Sequence, residues 1–238
     1  MSLGDAWDRI WGDITATASP SPQSLWIALG AVLVCVAVPS LWHLARHVVT
    51  LVHEAGHALV ATLLGREVRS ISLHSDTSGL TVSPGDARRL PLALKAFAGY
   101  PAPGIAGLAI AWAIGAGHGV AVLWVSVAAL LIVLLRVRNV YGVLVVVAVG
   151  AGLGWAAWAL PDGWRVGIAC GLAWLLLIGG VRAVVELQGS RRGGARGSDA
   201  DALARLTRVP GGVWVALFWL VTVACLGGGA LLLAGAAA

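Results

Sequence analysis

Long apolar runs alternate along this chain with short polar or Gly/Pro-rich breaks, and the spacing of the breaks predicts its elements. Seven runs approach the ~20 residues a helix needs to cross the hydrocarbon core of a bilayer: 25–43, 46–65, 92–116, 119–135, 139–160, 164–186 and 212–235. The second is the least hydrophobic and holds most of the polar side chains found inside a run. Ahead of them, Trp7, Ile10, Trp11 and Ile14 fall at i, i+3, i+4 and i+7. That spacing suits one apolar face of a short interfacial helix, although an unstructured leader fits the same stretch.

Two polar segments carry patterns of their own. Residues 66–84 contain two short alternating runs around Asp76-Thr77-Ser78-Gly79, which predicts a β-hairpin with a Gly-containing turn. Residues 188–211 begin as a flexible basic linker and then pattern as a short helix from Ser198, an N-cap followed by Asp199 and Asp201 in the first turn. The expected organisation is an N-terminal interfacial or flexible segment (1–22), a membrane core with the hairpin (23–187), the linker and short helix (188–211) and a last span (212–238). The fold class is thus an all-α polytopic membrane protein with about seven transmembrane helices and one small cytoplasmic β-hairpin.

Composition enforces the membrane reading. The chain is 59% hydrophobic and 11% charged, with a mean hydropathy of +0.88. A soluble domain of this size carries about 25% charged residues, so this one has too few to cover a water-facing surface. Its apolar content equally excludes disorder. Cys35, Cys170 and Cys225 sit inside apolar runs and behave as small hydrophobes. The net charge of +5 does not imply nucleic acid, because arginine has a simpler use at the cytoplasmic membrane surface. Arg66, Arg69, Arg88, Arg89, Arg136, Arg138, Arg191, Arg192, Arg196, Arg205 and Arg208 follow the second, fourth and sixth runs. The positive-inside rule makes those connections cytoplasmic and, by parity over seven spans, places the N-terminus inside. Asp5, Asp8 and Asp13 in the first 22 residues argue against a cleaved signal peptide. The expected location is an integral protein of a plasma membrane of bacterial type.

The candidate chemistry lies in the second run, which reads Val52-His53-Glu54-Ala55-Gly56-His57-Ala58, an HExxH motif. On a helix, positions i and i+4 share a face, so both imidazoles reach one metal ion while Glu54 meets a water bound there. Zinc is the natural occupant, with Glu54 as general base. With six His and three Glu in 238 residues, a chance HExxH arises about twice in a thousand such chains, and this one also has the helical context. Ionisable groups within a span are costly and mark function by default. A polar packing cluster or a histidine proton path is the rival explanation.

The chain resembles the site-2 protease group of intramembrane zinc metalloproteases, in its compact M50B-like branch. The residues that carry the resemblance are HEAGHALVATLLG at 53–65, the hairpin after it, and Gly99-Tyr100-Pro101-Ala102-Pro103-Gly104 opening the third run. The resemblance implies cleavage of a transmembrane segment of another membrane protein within the lipid bilayer, zinc on His53 and His57, and catalysis through Glu54. Site-2 proteases take their third ligand from an Asp-Gly motif, and the corresponding place here, Arg138-Asn139-Val140-Tyr141-Gly142, has Asn139. A neutral amide is a weak ligand, so a carboxylate from elsewhere competes for the role. Asp199 and Asn139 stand level as candidates, with Asp76 behind. Asp199 equally suits a helix N-terminus, and Asp76 a turn. Two alternative functions remain at this point: an inactive membrane scaffold, or a proton- or metal-coupled transporter.

Overall fold

The computed structural model describes residues 2–84 and 88–236. Among these, ten helices and one two-stranded sheet are formed. Every predicted apolar run becomes helical, but the breaks fall elsewhere than expected, and that changes the topology.

The first two runs become α2 (Pro22–Ala37) and α3 (Pro39–Leu63), bent by 107° at the junction. Pro39 lacks an N–H and forces Val38 into an extended conformation (φ −87°, ψ 117°), so the helix cannot continue through it. The third run is likewise divided, into α4 (Arg89–Ala98) and α5 (Pro101–Gly115), bent by 57° at Gly99-Tyr100. α6 (Gly119–Leu134) has 16 residues, about 24 Å of helix and so short of a full crossing. α7 (Val140–Ala159), α8 (Asp162–Arg192) and α10 (Gly211–Ala236) are each long and apolar enough to span. The described residues therefore contain three such helices, or five if each bent pair counts as one span, in place of the expected seven. The protein is an integral membrane protein. Leu131, Leu144, Trp155, Leu220 and Leu231 point outward over half exposed, as lipid-facing side chains do.

The core is a close-packed assembly of α2, α5, α6, α8 and α10 around Leu25, Ile114, Leu123, Val166, Cys170 and Leu177. Small residues permit the approach: a methyl at Gly107 would lie 2.8 Å from Leu177 Cγ. A second cluster, with Ala93, Val184, Ala200, Leu203 and Phe218, joins α4, α8 and α10 to α9 (Asp199–Thr207). A third, with Leu51, Ala61, Ile71, Leu73, Val137 and Val146, seats the hairpin on α3 and α7.

The hairpin forms as predicted, from β1 (Ser70–Leu73) and β2 (Gly79–Val82), antiparallel with Ser70 opposite Val82 and Leu73 opposite Gly79. β1 is bound on its other side too: Ile71 N–H donates to Arg136 C=O (2.8 Å) and Arg138 N–H to Ile71 C=O (3.1 Å). With the Ile71 groups turned to that side, the register leaves Gly79 and Thr81 on the outer edge of β2.

α1 (Leu3–Thr15) is a formed helix, capped by Ser2 and Asp5 in a capping box. Its polar side docks on the bundle: Asp13 pairs with Arg165 (3.0 Å) and accepts from Trp124 Nε1 (3.1 Å), and the Arg9 guanidinium lies 4.3 Å over the Trp158 ring. Trp7 and Trp11 face outward. Trp158 ends α7, whereas Asn139, which precedes α7, holds the hairpin about 30 Å away. α1 thus sits at the end of the molecule opposite the arginine-bearing connections. The expected cytoplasmic N-terminus, which placed it beside those connections, is not supported. The parity behind that expectation needs α2 and α3 as two separate crossings, and they form a pair bent by 107° at Pro39 instead.

Candidate metal centre

α3 supplies the centre of the site. Its 3.6-residue period puts His53 and His57 one turn apart on the face turned to α4 and α9, and their rings meet edge to face with centroids 4.7 Å apart. The two Nε2 atoms converge to 3.1 Å. Asp199, the first residue of α9, brings Oδ2 to 3.2 Å from His53 Nε2 and 3.3 Å from His57 Nε2. These are the only three His, Cys, Asp or Glu side chains among the described residues that cluster in this way. A tetrahedral zinc site with bonds of about 2.05 Å has ligand atoms separated by about 3.3 Å, so this triangle fits one face of it.

Each corner is held by a partner beyond the cluster. His57 Nδ1 donates to the Lys95 carbonyl of α4 (2.7 Å), which fixes the tautomer and turns the Nε2 lone pair to the centre. The His53 ring packs edge-on against Tyr100 at 4.8 Å. Asp199 owes its place to the N-terminus of α9. Ser198 and Asp201 form a capping box there, and Arg191 at the end of α8 bonds Ser198 Oγ (3.0 Å) and the Asp201 carboxylate. α8 runs on to Arg192, so the expected flexible linker contracts to a few residues. Burial pushes the Asp199 carboxyl up, but hydrogen bonds and charge from the two imidazoles outweigh it and hold it well below the usual carboxylate range.

Glu54, one residue along from His53, is buried and points to the hairpin. Its Oε2 accepts from Thr81 Oγ1 at 2.6 Å, and Lys95 Nζ donates to the Thr81 carbonyl at 2.9 Å. Two glycines make room. A methyl on Gly99 would lie 2.5 Å from His57 Nε2 and 2.6 Å from His53 Nε2, and one on Gly79 would lie 2.5 Å from Glu54 Oε1. Any side chain at Gly99 would crowd both Nε2 atoms, the donors that would hold a metal. Two cavities, of about 350 and 560 Å³, open on either side of His53, Glu54 and Tyr100.

Of the two level candidates for a third ligand, Asp199 joins the imidazoles and Asn139 does not. The Asn139 amide is spent on the hairpin, accepting from Leu73 N–H (3.1 Å) and donating to the Leu73 carbonyl. Asp76 stays in the turn, where it accepts from Ser78 N–H (2.9 Å). Arg46 pairs with Glu186 of α8 at 3.2 Å, on the wall of the smaller cavity.

A family profile described as peptidase M50B-like matches residues 26–229. The chain belongs to the M50B-like peptidase family. No curated protein and no solved structure gives a match. The family match spans α2 to most of α10 and so includes every side chain of the centre. M50 peptidases are zinc metalloproteases, and the His53, His57 and Asp199 cluster offers one imidazole nitrogen from each histidine and a carboxylate oxygen suited to that ion.

Thr81 and the Lys95 carbonyl are parts of the site that the sequence did not mark, and Gly79 was marked only as a turn residue. Thr81 is one of eight threonines with no motif to single it out, and backbone carbonyls carry no sequence signal at all. Gly99 and Tyr100 were visible as a motif, but only their position against His53 and His57 gives them a role.

Proposed function

We propose that this protein is a zinc-dependent intramembrane endopeptidase that cleaves a transmembrane segment of another membrane protein, with the metal on His53, His57 and Asp199. The observation that carries the reading is the triangle of ligand atoms at 3.1, 3.2 and 3.3 Å with the Glu54 carboxylate beside it. Zinc bound there supplies a Lewis acid that polarises the scissile carbonyl and lowers the pKa of a coordinated water to about 7.

The chain's own residues do the rest. Thr81 ties up Glu54 Oε2 and leaves Oε1 to accept the proton of the attacking water and pass it to the departing amine. On the outer edge of β2, next to the general base, the Thr81 carbonyl is taken by Lys95, and the backbone groups of Gly79 are what an extended substrate would pair with. A helical substrate must be unwound to be cut, because its carbonyls are hydrogen-bonded within the helix, and pairing with a strand edge offsets that cost. The site lies at the arginine-bearing end, which the positive-inside rule makes cytoplasmic.

Glu54→Gln tests the reading. It should abolish cleavage of a reconstituted membrane-protein substrate while zinc stays near one per chain, whereas His57→Ala should lose both. Full activity of Glu54→Gln would falsify the mechanism. Bound zinc without cleavage of any membrane substrate would instead favour the inactive scaffold.

A further inference from the structure

We propose that the Tyr100 hydroxyl donates the hydrogen bond that stabilises the oxyanion formed on the substrate carbonyl during cleavage, an inference that rests on the endopeptidase reading above. Tyr100 ends the break between α4 and α5, and its ring is fixed from two sides. It stacks on Phe218 of α10 (centroids 4.9 Å apart, 24° between planes) and meets the His53 ring edge to face at 4.8 Å. Its side chain lines both cavities that flank the metal centre, as do His53, Glu54 and Gly79.

Four polar side chains close to the centre are already engaged, and Arg196 and Arg205, which also line the cavities, are exposed rather than fixed by packing. Glu54 accepts from Thr81, Lys95 Nζ donates to the Thr81 carbonyl, His57 Nδ1 donates to the Lys95 carbonyl, and Ser198 Oγ serves Asp201 and Arg191. Tyr100 Oη has no hydrogen-bond partner among the described residues, although its ring is held rigidly. A donor fixed in place and left unspent is what a developing negative charge requires, because no reorganisation is needed when the charge appears.

The step balances without change to the tyrosine. Water oxygen bonds to the carbonyl carbon, the carbonyl π pair moves to oxygen, and Glu54 takes the water proton. As the C–N bond breaks, that proton goes to the amine nitrogen and the carbonyl re-forms. Tyr100 keeps its own proton throughout and only strengthens its hydrogen bond as charge grows. A tyrosine serving merely as a wedge between α3 and α10 would need its ring and not its hydroxyl.

Tyr100→Phe separates the two roles, since it keeps the ring. With a transmembrane-segment substrate co-reconstituted in liposomes, kcat should fall roughly 100-fold or more with KM little changed, the effect of removing one oxyanion donor. Zinc content and melting temperature should match the wild type. A second readout avoids turnover: a phosphonamidate peptide, whose tetrahedral phosphoryl oxygens imitate the oxyanion, should bind Tyr100→Phe at least about tenfold more weakly by calorimetry. Wild-type kcat and wild-type phosphonamidate affinity in Tyr100→Phe would overturn the proposal. So would a loss of activity that merely follows lost zinc or lost folded protein, because the hydroxyl would then act through the fold. If wild type and Glu54→Gln are equally unable to cleave, the endopeptidase reading fails instead.

Discussion

α3 carries two histidine pairs at the same i, i+4 spacing, and only one of them forms a metal-type cluster. His43 and His47 lie edge to face at 5.5 Å, and His53 and His57 at 4.7 Å, so the helix treats both pairs nearly alike. Their neighbours differ. Both nitrogens of His47 are consumed, Nδ1 by the His43 carbonyl of its own helix (2.9 Å) and Nε2 by the Tyr141 hydroxyl (2.8 Å). His57 spends only Nδ1, on the Lys95 carbonyl of another helix, and keeps Nε2 for the centre. Among the described residues, a carboxylate joins the second pair in a cluster and none joins the first. Helical spacing is therefore a necessary condition for a shared ligand site, and the groups arriving from other elements decide whether it is met.

The sharpest way to break this contrast is to fill the space that distinguishes the second pair. Gly99→Val should remove zinc almost completely and lower cleavage by ~1,000-fold or more, since the side chain would overlap both Nε2 atoms. His43→Ala should leave zinc at wild-type stoichiometry by metal analysis. Equal zinc loss in the two variants would erase the distinction. Asp199→Ala comes next: with the third donor gone, zinc affinity in a chelator competition should drop by several orders of magnitude, whereas Asn139→Ala should leave it close to wild type and lower thermal stability through the lost Leu73 contacts.

Smaller effects should follow from supports lying one contact further out. Arg191→Met releases the capping box that presents Asp199 and should weaken zinc by about 10- to 100-fold, the usual range for an outer partner. Thr81→Val frees Glu54 Oε2 and should reduce kcat by about tenfold with zinc content unchanged. The smallest signal is conformational. Removing zinc with a chelator should speed tryptic cleavage at Arg196, in the short connection before α9, because Asp199 then no longer ties that helix to α3.

Legibility in the sequence followed the range of each interaction. The hairpin and α9 were readable because a turn and an N-cap are local: Asp76-Thr77-Ser78-Gly79 and Ser198-Asp199-x-Asp201 declare themselves within four residues. His53, Glu54 and His57 were readable because one helical turn sets their spacing. The count of seven spans is not confirmed, because hydropathy measures apolar length and not direction. It could not see that Pro39 would swing α3 through 107°, or that a glycine pressed against two imidazoles would coincide with the bend between α4 and α5. The choice between Asp199 and Asn139 lay beyond the sequence, because the two residues are separated from His57 by 142 and 82 positions and only packing shows which returns to it.

The sequence by itself determined that this chain lives in a membrane, that its helices form where the apolar runs lie, and that one turn of α3 presents two imidazoles and a carboxylate together. These follow from composition and from the helical period, which act over short distances. Tertiary structure alone decided which histidine pair is left with free nitrogens, which acid completes it, and at which end of the bundle the N-terminal helix docks. Those outcomes depend on how α4, α9 and the hairpin pack against α3, and packing between elements far apart in the chain is written in no local pattern of residues.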